Sequence, residues 1–60
     1  MNYAHHIICE AWIDGKTVKD FKLQVVTPFT SKPTDFEVQK ALEQMFPGKQ
    51  IGGIHNVKLV

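Results

Sequence analysis

The chain contains no arginine, a single cysteine and no long apolar run, and each of these absences argues against a class of function. All seven basic residues are lysines, and they are scattered among six acidic residues for a net charge of +1. Arginine supplies the bidentate donor that reads guanine edges and phosphates, so its absence argues against sequence-specific DNA recognition. One cysteine cannot form an internal disulfide. Together with the lack of a signal peptide or membrane span, it predicts a reducing, cytoplasmic setting and no membrane partner.

The length predicts one small domain that spans residues 1–60. A domain of this size buries only about 60% of the surface that its unfolded chain exposes, so its stability is marginal. With 43% apolar and 22% charged residues, the composition is that of a folded domain rather than a disordered segment. Small domains often gain stability from a metal, a disulfide or a second subunit, and here the disulfide is excluded.

The first half of the chain predicts a β-hairpin. Two runs rich in aromatic and β-branched residues, 3–13 and 16–27, flank the dipeptide Asp14-Gly15. Asp-Gly between such runs favours a type I′ turn, because both central residues of that turn need positive φ. We therefore expect two antiparallel strands joined at this dipeptide.

The pairing of the two strands is predicted from charge. A two-residue loop pairs Ile13 with Lys16 and places Glu10 opposite Lys19. A three-residue loop would place Glu10 opposite Asp20, and like charges directly opposite each other destabilise a sheet. We therefore expect the two-residue loop, with strict alternation of side chains along both strands.

This register assigns each side chain to a face of the hairpin, and it also pairs Ile8 with Phe21 and His6 with Leu23. The predicted inner face carries Ala4, His6, Ile8, Trp12, Phe21, Leu23 and Val25. The predicted outer face carries Tyr3, His5, Ile7, Cys9, Ala11, Val18, Asp20, Lys22, Gln24 and Val26. The outer set is more apolar than a solvated face requires, and exposed apolar patches often mark interaction sites. The alternative is that some of these residues lie under loops or at an edge.

A capped helix is predicted in the second half of the chain. Thr34 followed three residues later by Glu37 is a capping box, in which each side chain bonds the other residue's backbone N–H. Pro47-Gly48 ends the helix, so we expect it to span about 35–46. The apolar residues at helical spacing are Val38, Ala41, Leu42, Met45 and Phe46.

A third strand is predicted over residues 54–60, with His55, Val57 and Leu59 on one side. The expected fold class is therefore α+β, in the order ββαβ, with a mainly antiparallel three-stranded sheet covered on one face by a single helix. A crossover from strand 2 makes strand 3 parallel to strand 2 and antiparallel to strand 1. The expected strand order is therefore 2-1-3.

The chemistry-bearing residues form no recognisable catalytic or metal pattern. His5 and Cys9 point the same way on a strand, but the Cys-x-x-Cys pairs of structural zinc sites are absent, and His55 is remote in sequence. The adjacent pair His5-His6 is an alternative candidate for pH sensing. Cys9 as a nucleophile would need a base and an orienting group in a closed cleft, with Asp20 and His5 as candidates, and 60 residues scarcely provide one. We therefore expect no enzyme activity, no metal and no cofactor.

Partner-binding residues are predicted mainly on the outer face. Trp12 joins them because tryptophan is enriched at binding hot spots, although it could equally cover the end of the core. The predicted partner-binding residues are Tyr3, His5, Ile7, Trp12, Val18 and Lys22.

The segments 11–16, 21–23 and 37–42, with Phe46, resemble the small Dmd antitoxin of T-even bacteriophages over most of the chain. The resemblance implies a phage protein that binds and silences a host ribonuclease toxin. The strand–strand–helix–strand outline is also similar to archaeal ribosomal protein LX, but that family is much more basic than this chain.

We therefore expect a small non-catalytic protein-binding module, a phage-encoded inhibitor or antitoxin that neutralises a host protein. Two alternatives remain open. One is an RNA- or DNA-binding module that uses Lys16, Lys22 and Lys58 with Tyr3 or Trp12 for stacking. The other is a homodimeric structural domain whose outer faces pack together.

Overall fold

The strands and the helix follow one another in the predicted order. The computed structural model describes all 60 residues, with β1 at Tyr3–Ile13, β2 at Lys16–Thr27, α1 at Asp35–Met45 and β3 at Ile51–Leu59. The strands form one antiparallel sheet in the order β2-β1-β3, and α1 packs against one face of it. The predicted α+β class, the ββαβ order and the strand order are confirmed.

The hairpin turn forms where the sequence predicts it. Asp14 and Gly15 have φ angles of 50° and 92°, the positive values that a type I′ turn requires. Ile13 pairs with Lys16 as expected for a two-residue loop. The Asp14 N–H also donates to the Gln50 carbonyl oxygen at 2.8 Å, which holds the turn beside the start of β3.

The predicted register is wrong beyond the turn, because β2 contains a bulge. Ala11 pairs with Val18, but Cys9 pairs with Phe21, so β2 has one residue more than β1 between these pairs. Asp20 lies within the extra length and has a φ of 55°, the left-handed conformation found at such bulges. From Cys9 to the start of β1, every β1 residue therefore pairs one position further along β2 than the charge argument predicts.

The bulge reverses the predicted faces of β1. Ile7, Cys9 and Ala11 are at most 2% exposed and lie in the core with Leu23 and Val25 of β2. A one-residue shift moves a strand's side chains to the opposite face, so the face assignment of β1 was wrong while that of these two β2 residues was correct. The β1 residues that lie on the far side from the helix are Ala4, His6, Ile8, Glu10 and Trp12.

Strand β3 contributes to the core at every third residue because it is bulged twice. Ile51 and Ile54 pack against the core, and Val57 is part of it. Gly53 and Asn56 have φ angles of 59° and 56°, and each adds one residue relative to β1. The predicted alternation was therefore wrong, since Ile54 and Val57 share a side, and the strand begins three residues earlier than expected.

The helix begins and ends close to the predicted positions. The Thr34 hydroxyl accepts from the Glu37 N–H at 3.2 Å, and the Glu37 carboxylate accepts from the Thr34 N–H at 2.9 Å, so the capping box is confirmed. Val38 and Leu42 are fully buried against the sheet. This helix is neither long nor apolar enough to span a lipid bilayer.

Candidate functional site

The face of the sheet opposite α1 has no element packed on it, and we call it the open face. It mixes charged and polar side chains with a few apolar ones, and it is less apolar than the outer face predicted from the sequence. Its residues are Ala4, His6, Ile8, Glu10 and Trp12 of β1, Thr17, Lys22, Gln24 and Val26 of β2, and His55 and Lys58 of β3.

Two lysines flank an isoleucine in the middle of the open face. Ile8 pairs with Lys22 of β2 on one side and with Lys58 of β3 on the other. Neighbouring strands lie about 4.8 Å apart, so the two lysine Cα atoms are separated by about 10 Å. Neither lysine takes part in an ion pair. We call Lys22, Ile8 and Lys58 the lysine frame, an apolar centre with a positive charge on each side.

A hydrogen-bonded acid–imidazole pair lies beside the lysine frame. His55 Nε2 is 2.8 Å from Glu10 Oε2, and His55 Nδ1 is 2.7 Å from the carbonyl oxygen of Gly53. Each ring nitrogen of His55 therefore has an oxygen acceptor within hydrogen-bond distance, and which nitrogen donates depends on the tautomer. The pair joins β3 to β1 and engages the carboxylate nearest the centre of the open face.

A shallow depression of about 370 Å³ lies next to this pair. Its lining includes the carboxylates of Glu10 and Asp20, the amide of Asn56 and the ammonium group of Lys58. Asp20 and Asn56 are the left-handed residues of bulges on the strands either side of Glu10, and bulges bend a strand locally. The depression therefore follows from the same irregularities that set the register.

Trp12 lies opposite glycines of β3 at the turn end of the open face. Trp12 pairs with Gly52, and a Cβ atom on Gly53 would lie 3.3 Å from the Trp12 Cβ. Glycines opposite an aromatic residue leave room for its ring against the neighbouring strand. Trp12 is 38% exposed, so the indole presents an apolar surface at this end of the open face.

Cys9 is the only thiol of the chain, and its surroundings keep it protonated. It is 2% exposed and belongs to the core. Burial, and secondarily the negative charge of Asp35, raise the pKa of the Cys9 thiol above its ordinary value of 9.0. Because the thiolate is the nucleophile, this environment suits a packing residue rather than a reactive one.

The two adjacent histidines lie on opposite faces of the sheet. His5 is buried, and its Nε2 lies 2.9 Å from the Thr27 hydroxyl and 2.9 Å from the Phe29 carbonyl oxygen, which holds the loop after β2 against β1. His6 is exposed and pairs with Gln24 on the open face. The structure does not bring the two imidazoles together, and no group of three or more His, Cys, Asp or Glu side chains is arranged to hold a metal ion.

The structure divides the six predicted partner-binding residues into two groups. The exposed ones are Tyr3, Trp12 and Lys22. His5 and Ile7 are 8% and 1% exposed, and Val18 pairs with the buried Ala11 on the helix side of the sheet, so these three do not belong to the open face. Burial removes His5 and Ile7 from the candidate interface, and for the exposed three a binding role stays a prediction.

Sequence reasoning missed Ile8 and Glu10 as residues of the open face, where both are half-buried, and named Lys58 only for the nucleic-acid alternative. The cause is the single extra residue in β2, which transfers the alternation of β1 from one face to the other. Asp20 was the available signal. An aspartate inside a strand-like run is unusual, and Asp and Asn are enriched at left-handed positions.

No protein-family model, curated protein sequence or solved structure matches the chain. A function for this chain is therefore inferred from its fold and its open face. The resemblance to the Dmd antitoxin stays a prediction based on residues and element order.

Proposed function

We propose that the chain is a non-catalytic protein-binding module that binds an acidic surface of a host protein through its open face. The lysine frame carries this proposal, because it presents an apolar side chain between two lysines that form no ion pair within the chain. In line with the resemblance to the Dmd antitoxin, the module acts as a phage-type inhibitor that neutralises its target by covering the target's surface.

The open face offers the combination of side chains that protein interfaces use. Ile8 and Trp12 lie on the same side of β1, about 14 Å apart along the strand. A few central apolar or aromatic side chains usually supply most of the binding energy, and polar groups around them set orientation. A sheet also holds its side chains rigidly, which reduces the entropy lost on binding.

The charges of the open face favour a partner with carboxylates opposite the lysines. Glu10 is engaged by His55, which leaves Lys22 and Lys58 as the charges without an ion-pair partner beside Ile8. Exposed ion pairs contribute only about 0–1 kcal/mol each. We therefore expect the lysines to accelerate and orient the encounter, and the apolar side chains to supply most of the affinity.

Single-stranded RNA binding is the second candidate, because Trp12 lies on the same face as Lys22 and Lys58. An aromatic ring stacks on a base while lysines contact phosphates. The carboxylates of Glu10 and Asp20 line the depression beside Lys58, and they repel a phosphate backbone. RNA therefore ranks below an acidic protein surface.

The test is affinity capture from a bacterial lysate with tagged protein, with and without nuclease treatment, read by mass spectrometry. We expect wild type to recover a protein in both arms, and the double variant Lys22→Glu/Lys58→Glu to lose it. Lys16→Glu is the matched control, since Lys16 is an exposed residue of the same hairpin but lies at the turn.

Two results would count against the proposal. Equal recovery by the double variant and by wild type would show that the lysine frame is not the interface. Recovery that disappears with nuclease, together with affinity that falls steeply with salt, would place RNA first.

A further inference from the structure

We propose that two copies of this chain pair through the outer edges of β2 and form a symmetric six-stranded sheet. The inference goes beyond the proposed function, because it concerns an edge of the sheet rather than its open face. In the order β2-β1-β3, β2 has a neighbouring strand on one side only. The backbone groups on its other side are therefore available to a further strand.

The unpaired edge of β2 is regular over residues 21–27. These seven residues follow the bulge at Asp20, stop before Pro28, and contain neither glycine nor proline. Seven residues is about the usual length of a strand, and proteins commonly protect such edges with bulges or prolines. This stretch contains no bulge and no proline, and Lys22 is its one charged residue, so its backbone can pair along the whole length.

A groove of about 400 Å³ runs beside this edge, between β2 and α1, and its lining combines apolar side chains with polar and charged residues such as Glu37 and Lys40. The helix packs more closely on β3 than on β2, which leaves the groove open. Phe36 and Met45 line it from the helix side and are 67% and 49% exposed. A strand added to β2 continues the sheet beneath this groove, and in a symmetric pair the two helices lie on the same face. The Phe36 and Met45 side chains of the two copies then approach each other over the seam.

The edge is complementary to itself when the two-fold axis passes through Gln24. This residue is the middle of the regular stretch, so the axis allows all seven residues to pair. Leu23 then lies opposite Val25 of the second copy, and Lys22 lies opposite Val26. No lysine faces a lysine, whereas an axis through Lys22 would place two ammonium groups directly opposite each other, which destabilises a sheet.

The size of the core favours a second copy as the occupant of this edge. Only 11 of the 60 residues are buried, while Phe36 and Met45 in the groove stay about half or more exposed. Domains this small often reach adequate stability by oligomerising. A second copy paired about Gln24 places no two lysines of β2 opposite each other and brings Phe36 and Met45 to the seam, so it pairs the backbone edge and covers these apolar side chains together.

The test uses charge at the axis. Gln24→Lys places two lysines opposite each other in the symmetric pair, Gln24→Glu places two glutamates there, and an equimolar mixture places lysine opposite glutamate. Gln24 is exposed on the open face, so the monomer should stay folded, which circular dichroism checks. By sedimentation equilibrium we expect wild type to dimerise, each variant alone to dimerise about tenfold or more weakly, and the mixture to recover dimers.

A cysteine at the axis provides a second measurement. The Cα atoms of opposed residues in antiparallel strands lie about 4.5–5.5 Å apart, within the reach of a disulfide. Gln24→Cys in a Cys9→Ala background should therefore form a covalent dimer on mild oxidation. Thr17→Cys in the same background is the control and should not, because Thr17 lies in β2 outside the regular stretch.

Three results would overturn the proposal. The first is a wild-type chain that stays monomeric up to millimolar concentration. The second is a dimer that either charge variant alone retains, which would show that another surface pairs. The third is loss of the dimer without recovery in the mixture, which would contradict the axis at Gln24.

Discussion

The two edges of the sheet differ in how much regular backbone they expose. Strand β3 is interrupted at Gly53 and Asn56, both in the left-handed conformation, so no long run of evenly spaced backbone groups faces outward. Strand β2 has one such interruption, at Asp20, and is regular over residues 21–27. Bulges are a common way of preventing one sheet edge from pairing with another. The comparison indicates that the β3 edge is protected and that the β2 edge is kept available.

The two bulged strands also shape the open face between them. Asp20 on one side and Asn56 on the other flank Glu10; the pairing with β2 shifts at Glu10, and the pairing with β3 shifts just before and just after it. The depression and the Glu10–His55 pair lie at this point. The edges and the candidate binding face therefore depend on the same few backbone irregularities, which mutation can test.

The largest expected effect concerns β1, the central strand, which pairs with both edge strands. Ile7→Asp should unfold the domain, because it places a carboxylate in the core, with a loss of about 4 kcal/mol or more. Ile8→Asp should lower the free energy of unfolding by only about 1 kcal/mol or less, because Ile8 lies on the open face. Urea denaturation followed by circular dichroism measures both. Equal losses would mean that the bulge does not determine the faces of β1.

The next effect compares the bulges of the two edges directly. Asp20→Val and Asn56→Val should each lower the free energy of unfolding by about 1–2 kcal/mol, because β-branched residues are strained at positive φ. Asp20→Gly and Asn56→Gly are the matched controls, and each should change it by less than about 1 kcal/mol, since glycine tolerates this conformation. A valine variant as stable as its glycine counterpart would show that the residue is not held at positive φ in solution.

A smaller effect should be stronger in the β3 edge than in the β2 edge. Glu10→Gln removes the charged partner of His55 and should lower stability by about 1 kcal/mol or less, since the pair is partly exposed to solvent. Because His55 belongs to β3, amide hydrogen exchange should accelerate in β3 more than in β2. His6→Gln is the control on the same face, as no hydrogen bond of the His6 side chain is present. Equal acceleration in both strands would contradict a local role for the pair.

The smallest expected effect is a pH dependence of the stability of the whole domain, which does not distinguish the two edges. The pKa of Cys9 is raised in the folded state, so the folded chain holds this proton more tightly than the unfolded chain does. The stability due to the neutral thiol is complete below the ordinary value of 9.0 and is lost as pH rises above it through the raised value. The difference in unfolding free energy between wild type and Cys9→Ala should therefore shrink above about pH 9. A difference that is constant with pH would contradict burial of the thiol.

The features that could be predicted from the sequence are those determined by near neighbours. Asp14-Gly15 determines a turn through its own backbone preferences, and Thr34 with Glu37 determines a helix start through two local hydrogen bonds. The order of strands was predicted from the crossover, which makes strand 3 parallel to strand 2 and antiparallel to strand 1. These features need no knowledge of the rest of the molecule, and all of them were predicted.

The faces of β1 and the three-residue spacing of β3 could not be predicted in the same way. Each depends on whether one residue among many leaves the extended conformation, and that choice is decided by packing of the whole sheet against α1. The charge argument compared two registers without a bulge, so it did not consider a bulge that leaves Glu10 opposite both Lys19 and Asp20. The predicted interface inherited this error, which is why His5 and Ile7 lie in the interior.

The bulge at Asp20 has a consequence for how this sheet can evolve. Removal of Asp20 alone leaves the Ala11–Val18 and Cys9–Phe21 pairs in place, because the remaining residues then match one to one. The twelve residues of β2 less one would form an uninterrupted strand from the turn to Thr27. Loss of a single codon thus lengthens the regular edge without changing the core, and its gain shortens that edge again. The length of the β2 edge that is available to another chain can therefore change in one mutational step, while the fold stays the same.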